Sequence, residues 1–141
     1  MDIQKCWLIE ETLQVFRIPL RITNPQSKIA IIKYCLFDTG FSGYLGLDKD
    51  TIESLSLPQN GTGKGMTVKG LIDYKNYEGI GEIVDENQKT LEKVRNLDIP
   101  NTPPVAPILI QEFNFPIVGM KIICQFSWLI LSEKKIICLL K

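Results

Sequence analysis

Apolar and polar positions alternate along residues 16–22, where Phe16, Ile18, Leu20 and Ile22 are separated by Arg17, Pro19 and Arg21. This is the two-residue period of a half-buried strand. Pro19 carries no N–H and predicts an edge or a bulge at that point. Turn formers fill Thr23-Asn24-Pro25-Gln26-Ser27, and residues 28–37 are then nearly all β-branched or aromatic. The two segments therefore predict a hairpin whose second strand is buried on both faces and ends at Asp38. Beyond a glycine turn, Ile52, Leu55 and Leu57 with Asp48 or Asp50 as N-cap predict a short helix closed by Pro58.

Gly61, Gly63, Gly65 and Gly70 punctuate residues 59–75 around the apolar Met66 to Val68 and Leu71 to Ile72. This pattern predicts a mobile hairpin with Lys69-Gly70 at its tip. Residues 77–84 and 90–97, joined by Asp85-Glu86-Asn87-Gln88, read as another hairpin, although Leu91, Val94 and Leu97 at spacing three also suit a helix. Four prolines in residues 100–107 predict an irregular connector, followed by a short strand at 108–110. An apolar run at 115–120 leads to a glycine, residues 121–126 suit one or two helical turns, and two final apolar segments, 130–131 and 136–140, flank the turn Ser132-Glu133-Lys134-Lys135. Many short strands with one or two short helices imply an all-β fold, a closed sandwich or barrel.

Composition narrows the functional classes. With 141 residues the chain has the size of one domain spanning 1–141. Sixteen basic and sixteen acidic side chains are interspersed, which leaves no electrostatic footprint for nucleic acid or an anionic membrane. The apolar stretches are short or broken by Lys33, Lys121, Gln125 and Ser127, and no signal peptide opens the sequence, so a cytoplasmic location is expected. Cys6, Cys35, Cys124 and Cys138 are widely spaced and are expected to be small buried hydrophobes in a reducing compartment. No cofactor and no metal is expected. The chain has no histidine, which removes every mechanism built on a histidine base.

The chemistry concentrates at Leu36-Phe37-Asp38-Thr39-Gly40-Phe41-Ser42-Gly43, a carboxylate and a hydroxyl on a glycine turn fed by an apolar strand. Gly63-Lys64, in contrast, lacks the upstream glycine and the following Ser or Thr of a phosphate loop. The Asp-Thr-Gly turn, together with Ile18-Pro19-Leu20-Arg21-Ile22 before it and Ile117-Val118-Gly119-Met120 after it, resembles the retropepsin-like aspartic proteases. Those three segments cover about a third of the chain in the expected order.

The resemblance implies a closed acid-protease β-barrel, with the later apolar-Gly segment packed beside the catalytic turn. It implies that Asp38 is the catalytic carboxylate, supported by Thr39, whose hydroxyl locks two catalytic turns together, and by Gly40. Two carboxylates sharing one proton are needed for this hydrolysis, and a single Asp-Thr-Gly implies a symmetric homodimer. The glycine-rich hairpin would be the flap over a protein or peptide substrate, with Val68, Lys69, Gly70 and Leu71 contacting it, and strands 136–140 of both subunits would interleave. Ser42 and Met120 stand where retroviral members carry an acidic residue and an arginine. Two other readings stay open: an ordinary turn in which Asp38 bonds its own backbone, and a dimerisation or peptide-binding module on the same scaffold that does not cleave.

Overall fold

The computed structural model describes residues 3–84 and 104–140. These residues are mostly β, in two sheets. The larger sheet has seven strands, and the expected hairpin opens it: β2 (Arg17–Thr23) pairs antiparallel with β3 (Ala30–Phe37), Ile18 facing Cys35 and Ile22 facing Ile31. Ile18, Leu20 and Ile22 are fully buried, as the alternation predicts.

In β3 only Cys35 is fully buried. The strand expected to be covered on both faces is covered on one, because Ile31, Cys35 and Phe37 pack on the core while Ile32, Tyr34 and Leu36 point the other way. Lys33 lies within β3, and on its outer face Ile32 and Leu36 are half-buried while Tyr34 is exposed.

Two features hold the turn after β2 and the helix that follows the glycine turn. Asn24 is buried; its side-chain amide donates to the Leu55 and Ser56 carbonyls (2.8 and 3.1 Å) and its Oδ1 accepts from the Gln26 and Ser27 N–H groups. Helix α1 (Lys49–Ser54) is capped by Asp48, which accepts from the Thr51 N–H at 3.1 Å and the Thr51 hydroxyl at 2.8 Å. Before α1 runs the short buried strand β4 (Leu45–Leu47).

The glycine-rich hairpin forms from β5 (Gln59–Thr67) and β6 (Gly70–Ile83). Its turn is Val68-Lys69, one residue earlier than expected, because Gly70 at φ +107° closes it in a backbone conformation that favours glycine. No break separates 70–75 from 77–84: β6 runs through fourteen residues. Its second half pairs with β7 (Val105–Glu112) on one side and with β2 on the other, where Arg21 and Glu82 meet at 2.7 Å.

The expected connector at 100–107 is shorter than anticipated, since β7 already includes Val105, Ala106 and Pro107. Pro107 is tolerated there because the β6–β7 register is irregular between Gly79 and Gly81, opposite it, and β4 pairs only from Ile110 onward. The expected second strand or helix at 90–97 lies outside the described residues.

β8 (Ile117–Val118) and helix α2 (Met120–Ile123) complete this part, giving the order β2-β3-β8-β4-β7-β6-β5 with the additional β2–β6 pairing. The second sheet joins the two ends of the chain in the order β1 (Ile3–Leu8), β10 (Ile136–Leu140), β9 (Ser127–Leu131). β10 is its central strand, paired on both edges within one chain, so it has no free edge with which to interleave with a partner. Trp7, Ile137 and Leu139 join the common core.

The cysteine expectation needs correction. Cys6 and Cys138 face each other across β1 and β10 and form a disulfide, and Cys124 is exposed; only Cys35 is a free buried thiol. Wide spacing in sequence misled here because the two chain ends meet in one sheet. The argument for a reducing compartment falls with it. Among the described residues no helix is long and apolar enough to cross a membrane.

Burial would raise the Asp48 carboxyl, but the hydrogen bonds from the Thr51 hydroxyl and N–H outweigh it and hold the group below its ordinary 3.8. A carboxylate lowered by folding contributes stability above its unfolded value and loses that contribution as pH falls through the folded one. Asp48→Ala should therefore cost about 1 kcal/mol near neutral pH, shrinking toward the loss of the uncharged cap alone in strong acid, as read from urea unfolding at the two conditions.

Burial also pushes the Cys35 thiol up to about 12. In native, unreduced protein a thiol reagent should label Cys124 promptly and Cys35 only on unfolding, while Cys6 and Cys138 should react only after reduction.

Candidate active site

Asp38 follows the last residue of β3, and its position is set by main-chain bonds rather than by side chains. β8 pairs parallel with β3 (Leu36 with Ile117, Phe37 with Val118) and antiparallel with β4 (Leu45 with Val118). It therefore lies between two strands that are consecutive in the chain and joined by the turn at 38–44. The Asp38 N–H donates to the Val118 carbonyl at 3.1 Å. On the other limb Gly119, Met120 and Lys121 donate their N–H groups to the carbonyls of Tyr44, Phe41 and Gly43 at 2.9, 2.8 and 3.1 Å. The apolar-Gly segment thus packs beside the turn, as expected.

This clamp depends on Gly119. A Cβ there would run into the Gly43 carbonyl oxygen and come within 2.7 Å of the Phe41 ring and the Phe41 carbonyl oxygen. Its φ of −107° is open to any residue, so the requirement is space and not conformation. Phe41, which sequence reasoning did not single out, lies over Gly43 and Gly119 and fills the room that the two glycines leave. Below the turn, Phe37 meets Trp128 edge-on with ring centroids 5.0 Å apart, and Trp128 is held by its Nε1–H to the Ile123 carbonyl at 2.9 Å. No motif announced Trp128, because its partner is far away in sequence.

Within the turn the Phe41 N–H closes back on the Asp38 carbonyl at 3.3 Å, with Thr39 and Gly40 at the corner. The Gly40 N–H donates to Asp38 Oδ1 at 2.7 Å. Gly40 is not in the left-handed region; a Cβ on it would stand 3.1 Å from that same oxygen. The glycine keeps the carboxylate uncrowded. Asp38 is half-buried and makes no ion pair with any described residue, while Thr39 is exposed and its hydroxyl finds no partner among them. A half-exposed carboxylate held by one backbone donor can accept a proton from water, but while it is ionised for that step it cannot also donate a proton to the carbonyl oxygen under attack.

The structure brings Asp38, Thr39 and Gly40 together in this turn and places Val68, Lys69, Gly70 and Leu71 at the hairpin tip. Val68 and Leu71 are strongly exposed, as is Met66. The arm of the hairpin approaches the turn: Tyr74 and Asn76 share a small cavity of about 70 Å³ with Phe41, Gly43, Tyr44 and Lys121. Lys121 Nζ lies over the Tyr44 ring, 5.3 Å from its centre.

A larger open concavity of about 460 Å³ lies elsewhere, between the start of α1 and the end of β7. Its Asp48 carboxylate is already engaged as the helix cap; the smaller cavity lies against the Phe41-Gly43-Tyr44 limb of the turn, and Asp38 is not among its lining residues. No protein-family model matches this chain, and no curated protein is similar to it.

Gly119→Ala should destabilise the fold by about 1–3 kcal/mol, the usual range for forcing a group into filled space, which denaturant melts would measure. A cost near zero would mean that the clamp is looser than these distances.

Proposed function

We propose that the chain is a homodimeric aspartic endopeptidase of the retropepsin-like kind, its sheet a closed acid-protease barrel and its glycine-rich hairpin a flap over an extended peptide. The observation that carries this reading is the Asp38 carboxylate on a tight turn, fixed on both limbs by main-chain bonds to the Val118-Gly119 segment and left without a cationic partner among the described residues. The β2–β6 pairing, which ties the first strand of the sheet order to the sixth, supports the barrel. The exposed Thr39 hydroxyl supports a second copy, since a partner turn across a twofold axis would give it something to bond.

In the proposed dimer two Asp38 carboxylates share one proton around a water molecule. The ionised carboxylate takes a proton from the water as its oxygen attacks the scissile carbonyl carbon; the protonated one gives its proton to the carbonyl oxygen. The tetrahedral diol then returns a proton from one hydroxyl through the pair, the amide nitrogen is protonated, and the C–N bond breaks to acid and amine. Met66, Val68 and Leu71 on the hairpin give apolar cover for the bound segment and exclude water from it. The cytoplasmic location expected from the sequence loses its cysteine support to the Cys6–Cys138 bond and forms no part of the proposal.

Asp38→Asn preserves shape but cannot act as the base, so it should fold normally and lose turnover by at least about a hundredfold. Wild-type activity should peak on the acidic side of neutrality, as a coupled carboxylate pair requires, and persist in chelator. Full activity in purified Asp38→Asn protein would end the protease reading. Peptide affinity without cleavage in both forms would favour the binding module.

A further inference from the structure

We propose, resting on the reading that two Asp38 turns meet at a twofold axis, that the second copy docks along the free edge of β9. The two β9 strands pair antiparallel and join two three-stranded sheets into one of six. Among the described residues the order β1-β10-β9 leaves two edges, and β10 is excluded because both of its sides are already paired.

The two edges differ in how they are built. β1 carries Lys5 within the strand, and its register slips between Ile3 and Lys5; a charge and an irregularity are the devices that keep an edge from pairing with another chain. β9 reads Ser-Trp-Leu-Ile-Leu, with no charge, no proline and an unbroken register against β10, and Ile130 is 48% exposed. Nothing in its own residues protects that edge.

Position points the same way. β9 is in contact with the strand that delivers the catalytic turn, since its Trp128 packs against Phe37, the residue before Asp38. A twofold axis that brings two Asp38 side chains together passes close to β9. Identical strands in antiparallel pairing are related by such an axis, so the edge complements its own copy without any further surface. The partner is a second copy of this chain, docked edge to edge and not through interleaved termini.

The test uses the full chain with Cys124→Ser as background. Single cysteines at Ser127, Leu129 and Leu131 are treated with a short bis-maleimide, with Lys5→Cys as the control on the opposite edge, and the association of Ile130→Lys is measured by sedimentation. Cross-linking through at least one β9 position and not through Lys5→Cys is expected. Ile130→Lys should keep the native circular dichroism spectrum and weaken association at least about tenfold, because it sets like charges against each other across the axis. A dimer that cross-links only through Lys5→Cys, or that Ile130→Lys leaves unchanged, overturns docking through β9 while leaving paired Asp38 groups intact. A wild-type chain that sediments as monomer where it cleaves peptide overturns both.

Discussion

The close approach of two chain segments at Gly119 is the constraint on which the candidate site depends. Three successive N–H groups, from Gly119 to Lys121, reach carbonyls in the 41–44 stretch, and they do so only because no side chain stands between Gly119 and Gly43. That contact places β8 between β3 and β4 and so fixes both limbs of the Asp38 turn. A carboxylate positioned by main-chain bonds inside a sheet moves little, which is what a proton-transfer site requires. The side chains around it have supporting parts: Phe41 fills the space above the glycines, and the Phe37–Trp128 contact couples the turn to the second sheet.

That coupling gives the terminal sheet its significance. The two ends of the chain meet in β1 and β10, cross-linked by Cys6–Cys138, and β9 lies between them and the turn. One physical unit therefore runs from the disulfide through β10 and Trp128 to Asp38. A partner pairing with β9 would act on the same unit that holds the carboxylate. Among the described residues, the β9 edge carries no charge and no proline.

Much of this was legible in local sequence. The period of Ile18, Leu20 and Ile22, the Asp48 cap, the glycine-rich hairpin and the final turn at 132–135 all follow from residues near one another, and local rules find them. The Asp-Thr-Gly turn was legible as well, including the later glycine that packs beside it. What the sequence hid depends on distant partners. Cys6 and Cys138 are separated by 132 residues, and only the sheet topology makes them neighbours. β1 gave no strand signal of its own because Gln4 and Lys5 interrupt it, and it is held by β10. The continuity of β6 through residue 76 and the start of β7 before Pro107 likewise reflect pairing partners, which override the local breakers. Gly40 stands at the corner of the turn, and the structure adds a reason for it that local sequence did not show: a Cβ there would stand 3.1 Å from Asp38 Oδ1.

The central claim is that one Asp38 is half of a catalytic pair. Mixing wild-type chains with Asp38→Asn chains under conditions of subunit exchange tests it directly. If activity needs two competent carboxylates at one axis, a threefold excess of the variant should reduce activity per wild-type chain to roughly one quarter, the share of wild-type chains that still find a wild-type partner. If activity per wild-type chain stays constant at every ratio while exchange is shown to be complete, each Asp38 works alone and the paired-carboxylate account is wrong.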